Sequence, residues 1–346
     1  MIETPAVVVD RDVLERNVAR TAEAVAARGL ALRPHVKTHK IPEIAALQLA
    51  AGAVGITVAT IGEAEVFADR GAADVFIAYP LWLSEAKAAR LRALRDRASV
   101  AVGVDSADAA RHLGAAVPGL EVLVEVDSGH HRSGVHPGAV VPIAQAARDA
   151  GLAVVGAFTF PGHSYGPDAA AVAARGERDA LVAAGEALRT AGFDVRVLSG
   201  GSTPSLAATE DGGATEVRPG VYVFGDAQQW ELGHVDPSDI ALTVLATVVS
   251  VHDDRVILDA GSKILGADRV AWATGHGRLL EHPGARITAL SEHHATVTGV
   301  PLGLGDVVRV VPNHVCNVVN LVDEVLVVRR GEVEGRWAVA ARGRNS

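Results

Sequence analysis

The residues able to do chemistry gather in a few short segments. RPHVKTHK at 33–40 sets Lys37 between His35 and His39 directly after an apolar run. Partial desolvation and neighbouring groups that carry positive charge lower a lysine's pKa, and imine formation needs the neutral amine. A solvated lysine cluster at a helix start would have the same residues. SGGST at 199–203 supplies Gly200, Gly201 and Ser202. Successive glycines let amide N–H groups turn into one concavity and the hydroxyls add donors, which suits a phosphate dianion. An ordinary Gly-rich turn has the same composition. PNHVC at 312–316 sets His314 and Cys316 two residues apart. In an extended strand both side chains project from one face. Imidazole plus thiolate favours zinc over magnesium or calcium, and two protein ligands leave places for water or substrate. The alternative is a buried cysteine beside a hydrogen-bonded histidine.

These segments need elements to hold them. A strand, AVVVD, is followed by a helix over 11–28. Strand patterns then recur at 30–36, 55–60, 74–79, 99–105, 120–127, 152–160, 194–200 and 220–226, with helical stretches between them and an irregular link at 201–219. Strands alternating with helices of ten or more residues predict a parallel sheet covered on both faces, and eight such units predict a (β/α)8 TIM-type barrel. The fingerprint G-x-G-x-x-G of an open dinucleotide-binding sheet does not follow the first strand. The chemical segments fall at strand ends, where a barrel carries its functional groups. From about residue 236 the pattern becomes strands joined by tight turns, with Asp253-Asp254 and Arg330-Gly331 at two expected hairpins. The reading is a barrel domain over 1–235 and a mostly β domain over 236–346, with the first strand compatible with either.

Composition narrows the function. A net charge of −9 with no basic run argues against a nucleic-acid partner. The apolar runs are too short to span a bilayer, no secretory signal is visible, and a single cysteine excludes an intramolecular disulfide. Together they predict a cytoplasmic protein without a membrane partner.

RPHVKTHK, VEVDSGHHRSGV, SGGSTPS, RPGVYVFGD and PNHVC, in this order over nearly the whole chain, resemble the D-serine dehydratase and D-threonine aldolase group of alanine-racemase-type (fold type III) pyridoxal-phosphate enzymes. The resemblance implies that Lys37 binds pyridoxal 5′-phosphate as an imine. It implies that Gly200, Gly201, Ser202 and Tyr222 surround the phosphate, and that Arg132 and Tyr165 lie near the ring or substrate. It implies a metal on His314 and Cys316, zinc ahead of manganese or magnesium. Dehydratases of the group carry H-x-C at this position and the aldolases tend to carry H-x-D. Glu292, His293 and His294 resemble the group's acidic-histidine stretch. The implied activity is cleavage of a β-hydroxy D-amino acid, D-serine dehydration to pyruvate and ammonia first. The alternative is retro-aldol cleavage of D-threonine or 3-hydroxy-D-aspartate, with His163 or His293 as base. A pyridoxal-phosphate-binding regulator without turnover is the reading from another class. The group also implies a homodimer. In one place the chain departs from the group: FPGHSY has no aromatic residue immediately before His163.

Overall fold

A computed structural model describes residues 2–209 and 212–346. The chain divides into two compact units, one formed by residues 1–20, 38–43 and 221–343, the other by 21–37, 44–220 and 344–346.

The second of these holds eight parallel strands: Ala31–Leu32, Ile56–Val58, Asp74–Pro80, Ser99–Val104, Glu121–Glu125, Ala153–Phe158, Val197–Gly200 and Glu216–Val217. Each pairs in parallel with its neighbours, and Glu216–Val217 sits between Ala31–Leu32 and Val197–Gly200. A parallel bridge between His35 and Thr57 closes the ring, supported by N–H groups of Val54 and Thr57 donating to the carbonyls of Leu32 and Pro34. The barrel expected from the pattern is therefore present. Its strands are Val-, Ile- and Ala-rich and buried, as a sheet covered on both faces requires.

One strand assignment is corrected. Residues 220–226 are not the eighth strand; Val221–Val223 form a 3-10 turn, and the eighth strand is Glu216–Val217, inside the segment read as an irregular link. A short apolar run does not distinguish strand from buried turn. The true strand has no apolar run, because it carries Glu216 and is followed by Arg218. Both are buried and held by ionic partners: Glu216 accepts from Arg33 Nε at 2.9 Å and from Ser199 Oγ at 2.6 Å.

The other unit contains nine strands in one largely antiparallel sheet. Ala6–Asp10 belongs to it, antiparallel to Leu242–Val251 and parallel to Glu324–Arg329. Both expected hairpins form. Leu242–Val251 turns through Asp253-Asp254 into Val256–Leu258, and Arg330 and Gly331 both take positive φ between Glu324–Arg329 and Glu332–Ala338, the pair of dihedrals a two-residue hairpin turn demands. Among the described residues no helix is long and apolar enough to cross a membrane.

Gly156 is the tightest contact in the barrel wall. A bulge precedes it, and a Cβ there would lie 1.7 Å from the carbonyl oxygen of Val197. Gly156→Ala should lower stability by about 3 kcal/mol through overpacking. Gly151→Ala, also at positive φ but with nothing within 4 Å of the new Cβ, should lose only about 1 kcal/mol. Urea unfolding midpoints of the two variants check the difference.

Candidate active site

The strand after which Lys37 was expected ends early. Pro34 removes an amide from the ladder, and Lys37 falls in a 3-10 turn, Val36–Thr38, whose amide N–H reaches His35 Nδ1 at 3.5 Å. The lysine is half-buried. Its Nζ lies 5.7 Å from the centre of the Phe160 ring, and the Arg132 guanidinium lies 5.3 Å from the same ring. His130 meets that ring edge to face at 5.6 Å, and Tyr165 stands 6.4 Å away. One phenylalanine thus gathers an amine, a guanidinium, an imidazole and a phenol from three loops, with cation–π attraction favouring the two cations over its face. Sequence reasoning missed Phe160. The signal was present in FPGHSY, where the aromatic stands three residues before His163 instead of next to it.

His163 sits in the turn Gly162–Ser164 against Gly129, where an added Cβ would be 3.2 Å from its ring. Burial lowers its pKa, and its Nδ1 is buried without a hydrogen-bond partner among the described residues. It is therefore a neutral imidazole near pH 7 with a ring nitrogen available. Asp127 organises the loop beside it. Burial raises this carboxyl, but the amides of His131 and Gly129 and the His131 imidazole together hold it down to about 2.

The SGGST loop is built from behind. Gly201 has φ +83°, and its amide donates to Glu177 Oε1 at 2.8 Å. Ser202 Oγ shares hydrogen bonds of 2.8 Å with the hydroxyls of Ser164 and Ser205. Arg218 lies deeper, bonded to Ser199 Oγ and to the carbonyl of Thr159, with its guanidinium about 5.5 Å from the rings of Phe76 and Phe158. Burial brings this arginine down to about 10. One amine, a hydroxyl cluster and a buried cation in one unit are the donor set that an aldehyde-bearing phosphate ester fits.

In the β unit, His314 and Cys316 are not on an extended strand. The strand ends at Pro312; His314 is the N-cap of the helix Val315–Val319, and Cys316 is in its first turn. The two side chains still meet. The charge of Cys316 and hydrogen bonds to Cys316 and Asp226 outweigh burial and raise the His314 pKa well above its ordinary value. Asp226 is the second residue that sequence reasoning missed. Fully buried, it caps the helix Ala227–Glu231 through Gln229 N–H at 2.9 Å. Its other oxygen takes Val315 N–H and His314 Nδ1, both at 3.3 Å. The recognisable signal was an aspartate just before AQQW, a helix-start residue. A thiol and an imidazole in contact, with a carboxylate behind the imidazole, match the donor set of a thiolate–histidine metal site.

Tyr222 is also in this unit, buried in the turn Val221–Val223. His293 lies on an exposed turn after Arg286–Leu290, where Glu292 pairs with Lys263 at 2.7 Å. Among the described residues no group of three or more His, Cys, Asp or Glu side chains is placed to hold a metal, so His293 does not join His314 and Cys316.

Two family descriptions match the chain: the alanine racemase N-terminal domain over residues 9–228 and the putative serine dehydratase domain over 241–328. The D-threo-3-hydroxyaspartate dehydratase of Delftia sp. (strain HT23) is 38% identical over 352 residues, covering 91% of each chain. A D-threonine aldolase of Arthrobacter sp. is 36% identical over 99% of this chain and 93% of its own. Solved structures of the dehydratase include one with a histidine replaced and one, metal-free, with a cysteine two positions further on replaced. The metal-free variant superposes with a TM-score of 0.90 at 34% identity, covering 98% of this chain and 97% of that one. With the barrel, the β unit and both family matches in agreement, the chain belongs to the alanine-racemase-type (fold type III) pyridoxal-phosphate enzymes, in the group of the D-threonine aldolases and D-threo-3-hydroxyaspartate dehydratases.

Proposed function

We propose that this chain is a pyridoxal-phosphate- and metal-dependent lyase acting on a β-hydroxy D-amino acid that carries a β-substituent, of the 3-hydroxyaspartate or threonine kind. The observation carrying this reading is end-to-end similarity to enzymes named for those substrates, in both halves of the chain. D-serine, which the sequence alone put first, is named by neither of these two relatives. A cofactor-binding regulator without turnover loses its support to the same full-length similarity.

Bound pyridoxal phosphate supplies an electron sink for negative charge at the substrate α-carbon. Lys37 supplies the amine that holds the cofactor and, when released, a base for a proton. Gly200, Gly201, Ser202 and Tyr222 are assigned to its phosphate, and Arg132 and Tyr165 to the cofactor ring or the substrate carboxylate. Arg132 shares the Phe160 ring with Lys37, so a cation accompanies the amine without needing a carboxylate. His163 has the better claim as a second base: burial keeps it neutral, and its Nδ1 is unpartnered among the described residues. His293, on an exposed turn, lacks both features. His314 and Cys316 would hold a divalent ion, zinc by the softness of the thiolate, whose Lewis acidity polarises a β-hydroxyl. A homodimer belongs to the same proposal, on resemblance alone.

Two bond cleavages fit these parts. The aldolase relative, similar over 99% of this chain, favours breaking Cα–Cβ. The His-x-Cys pair, matched by the spacing of the residues replaced in the dehydratase structures, favours breaking Cβ–O. Product analysis with D-threonine, D-threo-3-hydroxyaspartate and D-serine separates them: glycine or an aldehyde marks the first, ammonia and a keto acid the second. No product from any of the three would remove the lyase reading.

Borohydride reduction should abolish a near-visible absorption band and leave the reduced adduct on Lys37. Lys40 is bonded to Asn320 at 2.9 Å and Lys263 to Glu292 at 2.7 Å; an adduct on either would overturn the Lys37 assignment. For the metal, Asp226→Asn keeps a helix-capping residue but removes the negative charge behind His314 and leaves one accepting oxygen for both ends of the contact. Metal affinity, read by chelator competition, should fall on the order of ten- to a hundredfold, with the Lys37 absorption band intact. Cys316→Ala should lose the metal and cost about a thousandfold in turnover. Full metal content in Cys316→Ala would make the pair a packing feature.

A further inference from the structure

Glu177 lies in the middle of the helix Ala170–Thr190, 2% exposed, in a position where a helix on a barrel normally presents an apolar residue. Three observations give it a purpose. Its Oε1 takes the Gly201 amide at 2.8 Å. Gly200 packs on the same oxygen so closely that a Cβ there would stand 2.4 Å from it. Its Oε2 is buried with no hydrogen-bond partner among the described residues. A carboxyl thus forms the back wall of the loop whose front is assigned to a phosphate, and two consecutive glycines let the backbone reach it.

We propose that Glu177 governs how tightly the Gly200–Ser202 loop holds a phosphate dianion, because its carboxyl both anchors the loop and sets the charge directly behind it. This rests on the pyridoxal-phosphate reading of the loop. As a neutral acid, Glu177 still accepts the Gly201 N–H and adds no charge. As a carboxylate, it anchors equally well but opposes the dianion across one thickness of backbone. The charge reaching it is that of Arg218, which is shared with Glu216 and Glu125 and lies near Arg33. Arg178, the next residue on the helix, pairs with Asp179 at the surface. Arg33 is also taken by Asp74, and Glu125 faces Asp105 as well as Arg132, so carboxylates outnumber arginines around Arg218. Burial, partly offset by Arg218 and the Gly201 amide, lifts Glu177 to about 7, so the change from acid to carboxylate falls near neutral pH. With the folded pKa raised, the ionised form is the disfavoured one, and phosphate retention weakens as pH rises through that value.

The test uses apo-protein and pyridoxine 5′-phosphate, which bears the phosphate but no aldehyde and so leaves Lys37 imine chemistry out. At pH 8.5 Glu177→Gln should bind it about tenfold more tightly than wild type, and at pH 6 the two should agree within about twofold. Glu177→Ala, which removes the anchor as well as the charge, should bind about fivefold more weakly than Glu177→Gln at both pH values. Wild-type protein alone gives an independent readout: calorimetry in buffers of different ionisation enthalpy should show net proton uptake on binding at pH 7.5. A wild-type to Glu177→Gln ratio that is the same at pH 6 and 8.5, or no proton uptake, overturns the proposal. If pyridoxal phosphate still forms the Lys37 adduct in that case, only this inference falls. If no phosphate ligand binds folded protein, the reading beneath it falls too.

Discussion

A barrel strand of two residues keeps its place in the ring because charge does there what apolar bulk does elsewhere. Glu216 is clamped between the Arg33 guanidinium and the Ser199 hydroxyl, and Ser199 passes the connection to Arg218. A charge withdrawn from water is tolerated only when its partners are in place, so this arrangement fixes the register of three strands at once. It also fixes where those strands stop. The last Cα pair between these two strands is Gly200 with Val217, after which the chain opens into the Gly201 turn on one strand and Arg218-Pro219 on the next. The loops carrying the candidate chemistry begin where the ionic chain ends.

How legible this was in the sequence varied with the kind of signal. Seven of the expected barrel strands lie where runs of Val, Ile and Ala alternate with helical stretches, because strands buried on both faces announce themselves by composition. The eighth was missed because a strand stabilised by Glu216 resembles a loop, while the apolar VYV beyond it resembles a strand and is a buried turn. Lys37, Ser202 and the His314–Cys316 pair were visible as residue types. Phe160 was passed over despite its place in FPGHSY, since a lone phenylalanine is usually core and the sharing of its ring by two cations and an imidazole is a feature of the fold.

The His-x-Cys pair illustrates a conclusion reached through the wrong geometry. Extended backbone was expected to align the two side chains. Instead His314 is the last extended residue before a helix, and Cys316 turns back toward it from the first turn. What makes this possible is Asp226, whose two oxygens cap two helices, one through Gln229 and the other through Val315. Capping preferences are readable in sequence for a helix's own cap. A cap supplied from nearly ninety residues away is not.

The interleaving of the two units has a consequence for the order in which the chain can be completed on the ribosome. Ala6–Asp10 finds its ladder partners among the described residues in Leu242–Val251 and Glu324–Arg329, both made long after it. At roughly 5–20 residues per second, the edge of Ala6–Asp10 that receives Glu324–Arg329 waits on the order of 15 to 60 s for it. During that interval VVVD is an apolar segment with unpaired amides, while the strands from Ala31 to Val217 are already available to pair with one another. Nascent chains should therefore pass through a stage with a formed barrel and Ala6–Asp10 still unpaired, the stage most exposed to strand-edge aggregation.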